Sequence, residues 1–308
     1  MSGVLSGFVV IFVVIAVGYL LGRRGTLGDQ GRMVLTRLVF YVATPALLID
    51  VVAHADLQTL FSSGLAVAAG TAAAVAVVYA AVARYVLRRA GPEVMVGAMA
   101  SSYLNGGNLG IPIAVFVLGD ASYVAPVMLF QIIVYAPIAL TVLDMTTTGR
   151  AGSLRGVAAS IVRNPIALGG IAGLVLAGAR WLPPEPIMDS ISLLGGAAVP
   201  GALMAFGLSL SGAQVLRKGT SPRRDVAVAS LLKAIAQPTL AYLLGRYGLG
   251  LDGHALFAVV VVAALPTAQN VFIYASKYGR GMVLARDAAL VTTIASVPVI
   301  LVATALLG

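Results

Sequence analysis

Two long apolar runs in this chain are each interrupted midway by residues that do not hold a regular helix. The first run, residues 94–118, contains Asn105-Gly106-Gly107-Asn108-Leu109-Gly110-Ile111-Pro112. Glycine favours other conformations, and Pro112 cannot donate to the helical ladder. The second run, residues 255–276, contains Leu265-Pro266-Thr267-Ala268-Gln269-Asn270. Non-helical backbone at membrane depth is tolerated only where it is buried in protein or lines a cavity. Paired interruptions at matching places in two halves of a chain point to a transporter binding site.

That these runs lie in a membrane follows from composition. The chain is 60% hydrophobic and 10% charged, with a mean hydropathy of +1.00, whereas a soluble domain carries about 25% charged residues. A span needs roughly 20 apolar residues. Ten are expected, at 4–21, 34–53, 63–86, 94–118, 122–144, 157–179, 190–211, 226–245, 254–276 and 283–306. The first lacks a basic leader and a cleavage site, so it reads as a retained helix. No cysteine is present, which excludes disulfides and thiol chemistry.

The net charge of +9 is explained by topology rather than by nucleic acid. The basic residues gather after spans one, three, five, seven and nine. They are Arg23, Arg24, Arg32, Arg37; Arg84, Arg88, Arg89; Arg150, Arg155, Arg163; Arg217, Lys218, Arg223, Arg224, Lys233; and Lys277, Arg280, Arg286. Arg180 and Arg246 fall on the other side. By the positive-inside rule the large group is cytoplasmic and both termini are outside. Trp181 lies in an outer connection, an ordinary interfacial place for it.

The halves resemble each other at an offset of about 155 residues. Ala43-Thr44-Pro45 matches Ala198-Val199-Pro200, Ile111-Pro112 matches Leu265-Pro266, Tyr135-Ala136-Pro137-Ile138 matches Ser296-Val297-Pro298-Val299, and Gly18 matches Gly173. Five is an odd number of spans, so the second half enters the membrane inverted. The expected fold is an all-α polytopic membrane protein with two inverted five-helix repeats, about 1–150 and 151–308. They form one membrane domain, with helices four and nine broken and crossing.

The Asn105–Pro112 break, the Leu265–Asn270 break and the early Arg37-Leu-Val-Phe-Tyr-Val-Ala-Thr-Pro45 helix resemble the auxin efflux carrier family of the bile acid/arsenite/auxin carrier superfamily. The resemblance covers essentially the whole chain. It implies two crossed broken helices, a scaffold part, a moving part and a homodimer. It also implies carriage of small organic anions: auxin in plant members, malate or malonate in bacterial ones. The long cytoplasmic loop of many plant members is absent here.

The residues independently favour an anion at the crossing. A half-helix starting near the midplane points free N–H groups and a partial charge of about +0.5 into the site, which suits a carboxylate. Asn105, Gly107, Asn108, Pro112, Pro266, Thr267, Gln269 and Asn270 are therefore expected to bind substrate. The competing reading is that these polar groups merely satisfy the broken backbone. Gln131, midway along span five, reads equally as a site contact or an interhelical hydrogen bond. Lys233 lies about seven residues into span eight, roughly 10 Å deep. It either snorkels to the cytoplasmic interface or faces the bundle interior and lends charge to an arriving anion, with Gln237 one turn further in.

Thr44-Pro45, Pro200 and Tyr274 read mainly as structural, and Asp50 and Asp144 as interfacial. Gly18/Gly22 and Gly169/Gly173 read as close helix contacts. His54 and His254 make no metal site, and no cofactor is expected. Sodium or proton coupling and simple uniport all remain open. Motifs for a zinc peptidase or a P-loop pump are missing. The reading is a secondary carrier of the cell (inner) membrane that meets lipid and a small organic anion but no nucleic acid. A membrane sensor using the same site without transport is the alternative.

Orientation is directly testable, because a cysteine-free chain accepts single cysteines cleanly. A cysteine at Gly219 should react with impermeant reagent only from the cytoplasm, and one at Glu185 only from outside; the reverse pattern overturns the assignment.

Overall fold

The structure is a computed structural model that describes residues 2–28, 30–54, 63–148, 162, 164–211, 216 and 221–308. Arg150, Arg155, Arg163, Arg217, Lys218 and Gly219 lie outside the described residues. The described secondary structure is helical, with no strand. The helices are α1 (Ser2–Arg24), α2 (Gly31–His54), α3 (Ser63–Val86), α4 (Gly91–Ser102), α5 (Gly106–Leu118), α6 (Ala121–Thr147), α7 (Pro165–Ala179), α8 (Glu185–Leu208), α9 (Arg223–Gly248), α10 (Gly253–Ala263), α11 (Gln269–Tyr278) and α12 (Met282–Leu307). Six of them, α2, α3, α6, α8, α9 and α12, are individually long and apolar enough to cross a membrane.

The first interruption is shorter than the sequence predicts. Only Tyr103, Leu104 and Asn105 leave the helix, and α5 runs unbroken from Gly106 through Pro112. The reason recurs along the chain. Wide turns, closed by i→i+5 hydrogen bonds, occupy Val39–Ala43, Gly106–Gly110, Gln131–Tyr135 and Leu232–Ala236, just ahead of Pro45, Pro112, Pro137 and Pro238. A proline removes one donor and crowds the carbonyl four residues back. A local wide turn re-satisfies the freed groups, so helices in lipid pass through proline.

The chain forms two compact units. One comprises residues 1–62, 106–129 and 158–213, the other 63–105, 130–157 and 214–308. In the first unit, glycines set the helix contacts. A Cβ on Gly18 would strike the Met204 backbone, and one on Gly207 the Ile15 carbonyl, so α1 and α8 touch main chain to main chain. A Cβ on Gly169 would lie 2.6 Å from the Pro45 oxygen, and one on Gly173 2.8 Å from Val52 Cβ, which fits α7 against α2 in the same way. Gly18, Gly169 and Gly173 belong to the two small-residue pairs of the sequence, and close packing of this kind holds helices together in lipid. Asn164 starts α7 by accepting from the Ile166 and Ala167 amides at 3.0 and 3.2 Å. Gly119, at φ +85°, ends α5 in a left-handed turn.

The second unit packs around Tyr79, Met99, Tyr103, Leu143, Val271 and Leu284, all buried. Gly97 leaves the room that the Tyr79 ring fills. Arg89, between α3 and α4, donates from Nε and Nη2 to the two carboxylate oxygens of Asp225 at 2.8 and 2.7 Å. Asp225 is buried in the first turn of α9, where the helix dipole also favours an anion. Asp50, assigned to the outer end of span two, pairs with His54 one turn on.

Gly18→Leu should therefore displace the Met204 backbone and lower the melting temperature of the detergent-purified protein. Leu20→Ala, at a side chain 50% exposed, should shift it far less. Equal melting temperatures for Gly18→Leu and wild type would refute the backbone contact.

Candidate functional site

Within the second unit the two interruptions lie side by side. The Asn105 amide donates to the Pro266 carbonyl at 2.8 Å, the Ala268 amide donates to the Tyr103 carbonyl at 3.0 Å, and Leu104 and Thr267 form an antiparallel bridge. Residues 103–105 and 264–268, the non-helical parts of the two runs, thus bond main chain to main chain. Other backbone groups of these residues turn back to their own helices: the Tyr103 amide donates to the Met99 carbonyl at 2.8 Å, the Ala264 amide to the Val260 carbonyl at 2.9 Å and the Leu265 amide to the Val262 carbonyl at 3.2 Å.

Side chains supply partners for Leu104 and Thr267. Gln131 turns its whole amide to Leu104: Oε1 accepts from the Leu104 N–H at 2.6 Å, and Nε2 donates to the Leu104 carbonyl at 3.0 Å. Thr292 Oγ1 accepts from the Thr267 N–H at 3.0 Å. Thr292 stands from Gln131 at the same offset that relates Ser296 to Tyr135. Sequence reasoning missed Thr292, although that offset was available as a signal. Thr267 Oγ1 donates in turn to the Ala100 carbonyl in α4, at 2.5 Å.

The last turns before the interruptions are held by α9. Lys233 Nζ donates to Gln237 Oε1 at 2.7 Å and to the Ala263 carbonyl, at the end of α10, at 2.9 Å. Gln237 Nε2 donates to the Ser102 carbonyl, at the end of α4, at 3.4 Å. Lys233 and Gln237 are both 0% exposed. Lys233 therefore does not snorkel; its ammonium is turned inward, and the wide turn Leu232–Ala236 is the segment that presents it. Gln131 likewise sits in a wide turn.

The predicted site residues thus divide by what they touch. Gln131, Thr267 and Lys233 are buried and bonded to main chain or to Gln237. Pro266 is buried between the paired segments. Asn105 is 4% exposed at the end of the first interruption. Gln269 and Asn270 are half-buried in the first turn of α11, whose leading N–H groups have no intrahelical partner. Asn270 and Tyr274 share a helix face one turn apart. Tyr274 also meets Tyr103 edge to face, with ring centres 6.3 Å apart, and Tyr103 stacks obliquely on Tyr135 at 5.4 Å. Gly107, Asn108 and Pro112 follow Asn105 in the chain but belong to the first unit; Gly107 and Asn108 are half-buried, and Pro112 is buried in α5.

Chemically, this arrangement offers fixed backbone dipoles and side-chain amides. No cluster of metal-ligating side chains occurs among the described residues.

Gln131→Leu should leave both polar groups of Leu104 buried without their partner. The expected loss is about 2–6 kcal/mol, read as a lowered melting temperature in detergent; an unchanged melting temperature would show that Leu104 finds other partners.

Comparison with known proteins shows the family of the chain. The family described as "Membrane transport protein" matches residues 4–155 and 153–304. A protein of Rhizobium meliloti (strain 1021) with the name "Putative malonate transporter" is 27% identical over 292 residues, 93% of this chain and 90% of that one. "Probable auxin efflux carrier component 5b" of Oryza sativa subsp. japonica is 28% identical over 159 residues, 50% of this chain and 42% of that one. The chain belongs to the membrane transport protein family that contains the auxin efflux carriers.

Proposed function

We propose that this protein is a secondary carrier of small organic anions in the cell membrane, with the substrate carboxylate received at the paired interruptions. The observation that carries the reading is the antiparallel pairing of residues 103–105 with 264–268, directly ahead of the α11 N-terminus. A helix N-terminus with half-buried Gln269 and Asn270 beside it offers oriented N–H groups and two side-chain amides to an anion. Asn105 borders the same segment. Gly107, Asn108 and Pro112 join the proposed site from the sequence, as the next residues of the same run. Gln131 and Thr267 keep that segment in shape, and Lys233 adds positive charge behind it. The resemblance of this chain to a protein named for malonate makes short dicarboxylates the first substrates to try.

In this reading α4 with α5, and α10 with α11, are the halves of two broken spans, which brings the count to ten. Two features support an inverted repeat. Gly18 and Gly22 of span one face span seven, while Gly169 and Gly173 of span six face span two. Gln131 and Thr292, at matching positions of spans five and ten, bond the two interruptions. The movement proposed is an elevator-type or rocking displacement of one helix bundle past another, in a homodimer with both termini outside. The division into two compact units, each built from both halves of the sequence, supports that reading.

Net export of a monovalent anion is downhill by about 2.3 kcal/mol per 100 mV in a cell negative inside, so a uniporter suffices for export. The deciding experiment is uptake of labelled malonate and other carboxylates by proteoliposomes that contain only this protein. Saturable flux with counterflow is expected, and Asn108→Leu and Asn270→Leu should each reduce it strongly while the protein stays folded. Binding without flux would identify a sensor, and non-saturating flux a channel. Normal flux in both variants would reduce the interruptions to packing.

A further inference from the structure

The helices that precede the interruptions, α4 and α10, end at Ser102 and Ala263. Helix C-termini leave their last carbonyls unpaired and carry a partial negative charge. In carriers with discontinuous helices, half-helix C-terminal ends of this kind coordinate the coupling sodium ion or proton. In this protein they face a side chain instead. Lys233 Nζ reaches Ala263 O directly at 2.9 Å and Gln237 Oε1 at 2.7 Å, and Gln237 Nε2 passes the link to Ser102 O at 3.4 Å. The orientation of the Gln237 amide is fixed by its neighbours: an ammonium donates, so it requires the oxygen, and a carbonyl accepts, so it requires the nitrogen. Among the described residues no salt bridge involves Lys233. Its counter-charge is therefore the pair of helix ends and one amide.

We propose that the Lys233 ammonium is a covalently held substitute for a coupling cation, holding the ends of α4 and α10 together so that the protein binds and uses no sodium there. A sodium ion can leave and rebind during a transport cycle; the nitrogen on a lysine stem stays with the protein, and only a proton can come and go from it. Gln237 is its positioning partner.

The binding half of this proposal stands without the transport reading, and the flux half rests on it. Purified wild-type protein should melt at the same temperature in sodium, potassium and N-methylglucamine chloride at equal ionic strength. Lys233→Ala should melt lower in N-methylglucamine by roughly 4–8 °C, and sodium or methylammonium should restore part of that loss by entering the vacated space. Lys233→Met, neutral and of similar length, should melt lower without being restored. Specific stabilisation of wild type by sodium would overturn the proposal, as would a Lys233→Ala protein indifferent to every added cation. If Lys233→Ala does not fold, the wild-type melting series and wild-type flux decide. Malonate uptake should keep its initial rate when sodium is replaced by N-methylglucamine, and a several-fold fall would overturn the proposal. If no carboxylate is transported, the proposed function fails, and the melting series still tests the substitute cation.

Discussion

Every backbone polar group inside a bilayer needs a partner within the protein, because no water is there to supply one. An unmatched buried group costs about 1–3 kcal/mol, and each interruption exposes several. The second unit meets this requirement in three ways: main chain on main chain between Tyr103–Asn105 and Pro266–Ala268, an amide or hydroxyl from a neighbouring span at Leu104 and Thr267, and α9 at the two helix ends. Gln131, Thr267, Thr292, Lys233 and Gln237 are placed by this need. Their conformations are consequently over-determined, which is what a precise anion site requires of its supports.

Much of this was legible in the sequence. The interruption read at Leu265–Asn270 overlaps the non-helical residues 264–268, with Gln269 and Asn270 already in α11; Pro266 stands inside it. The first was placed too far along. Asn105–Pro112 has the composition of a loop, yet a wide turn over Gly106–Gly110 absorbs Pro112, and Gly106 is seated closely on the Met128 side chain. Composition identifies where a helix can fail, while packing decides where it does. The glycine pairs were legible because a close helix contact needs small residues at fixed spacing, and that spacing is local.

Tertiary partners were not legible. The depth of Lys233 followed from counting residues, and its inward direction was one of two open readings. Its acceptor, the Ala263 carbonyl, is thirty residues away and carries no side-chain signature. Thr292 was invisible for another reason. A threonine in an apolar helix ordinarily bonds its own preceding turn, and Thr292 does so, donating to the Ala288 carbonyl at 2.7 Å. Its acceptor role toward Thr267 uses a lone pair that sequence does not reveal. Only its place in the repeat marks it.

The prolines join these observations. Pro137 follows Gln131, and Pro238 follows Gln237 and Lys233, each after a wide turn. Such a turn inserts extra backbone into the helix and so changes the direction of the side chains it carries. A lysine at membrane depth costs roughly 2.5–3.5 kcal/mol when unassisted, and hydrogen bonds to charged groups return about 1.5–3 kcal/mol each. Two such bonds, to Gln237 and Ala263, are enough to offset the cost. They form only if the stem of Lys233 leaves the helix toward α10. Pro238 follows the turn that carries Lys233, the turn sets the direction of the lysine stem, and that direction brings the ammonium to its acceptors on Gln237 and Ala263.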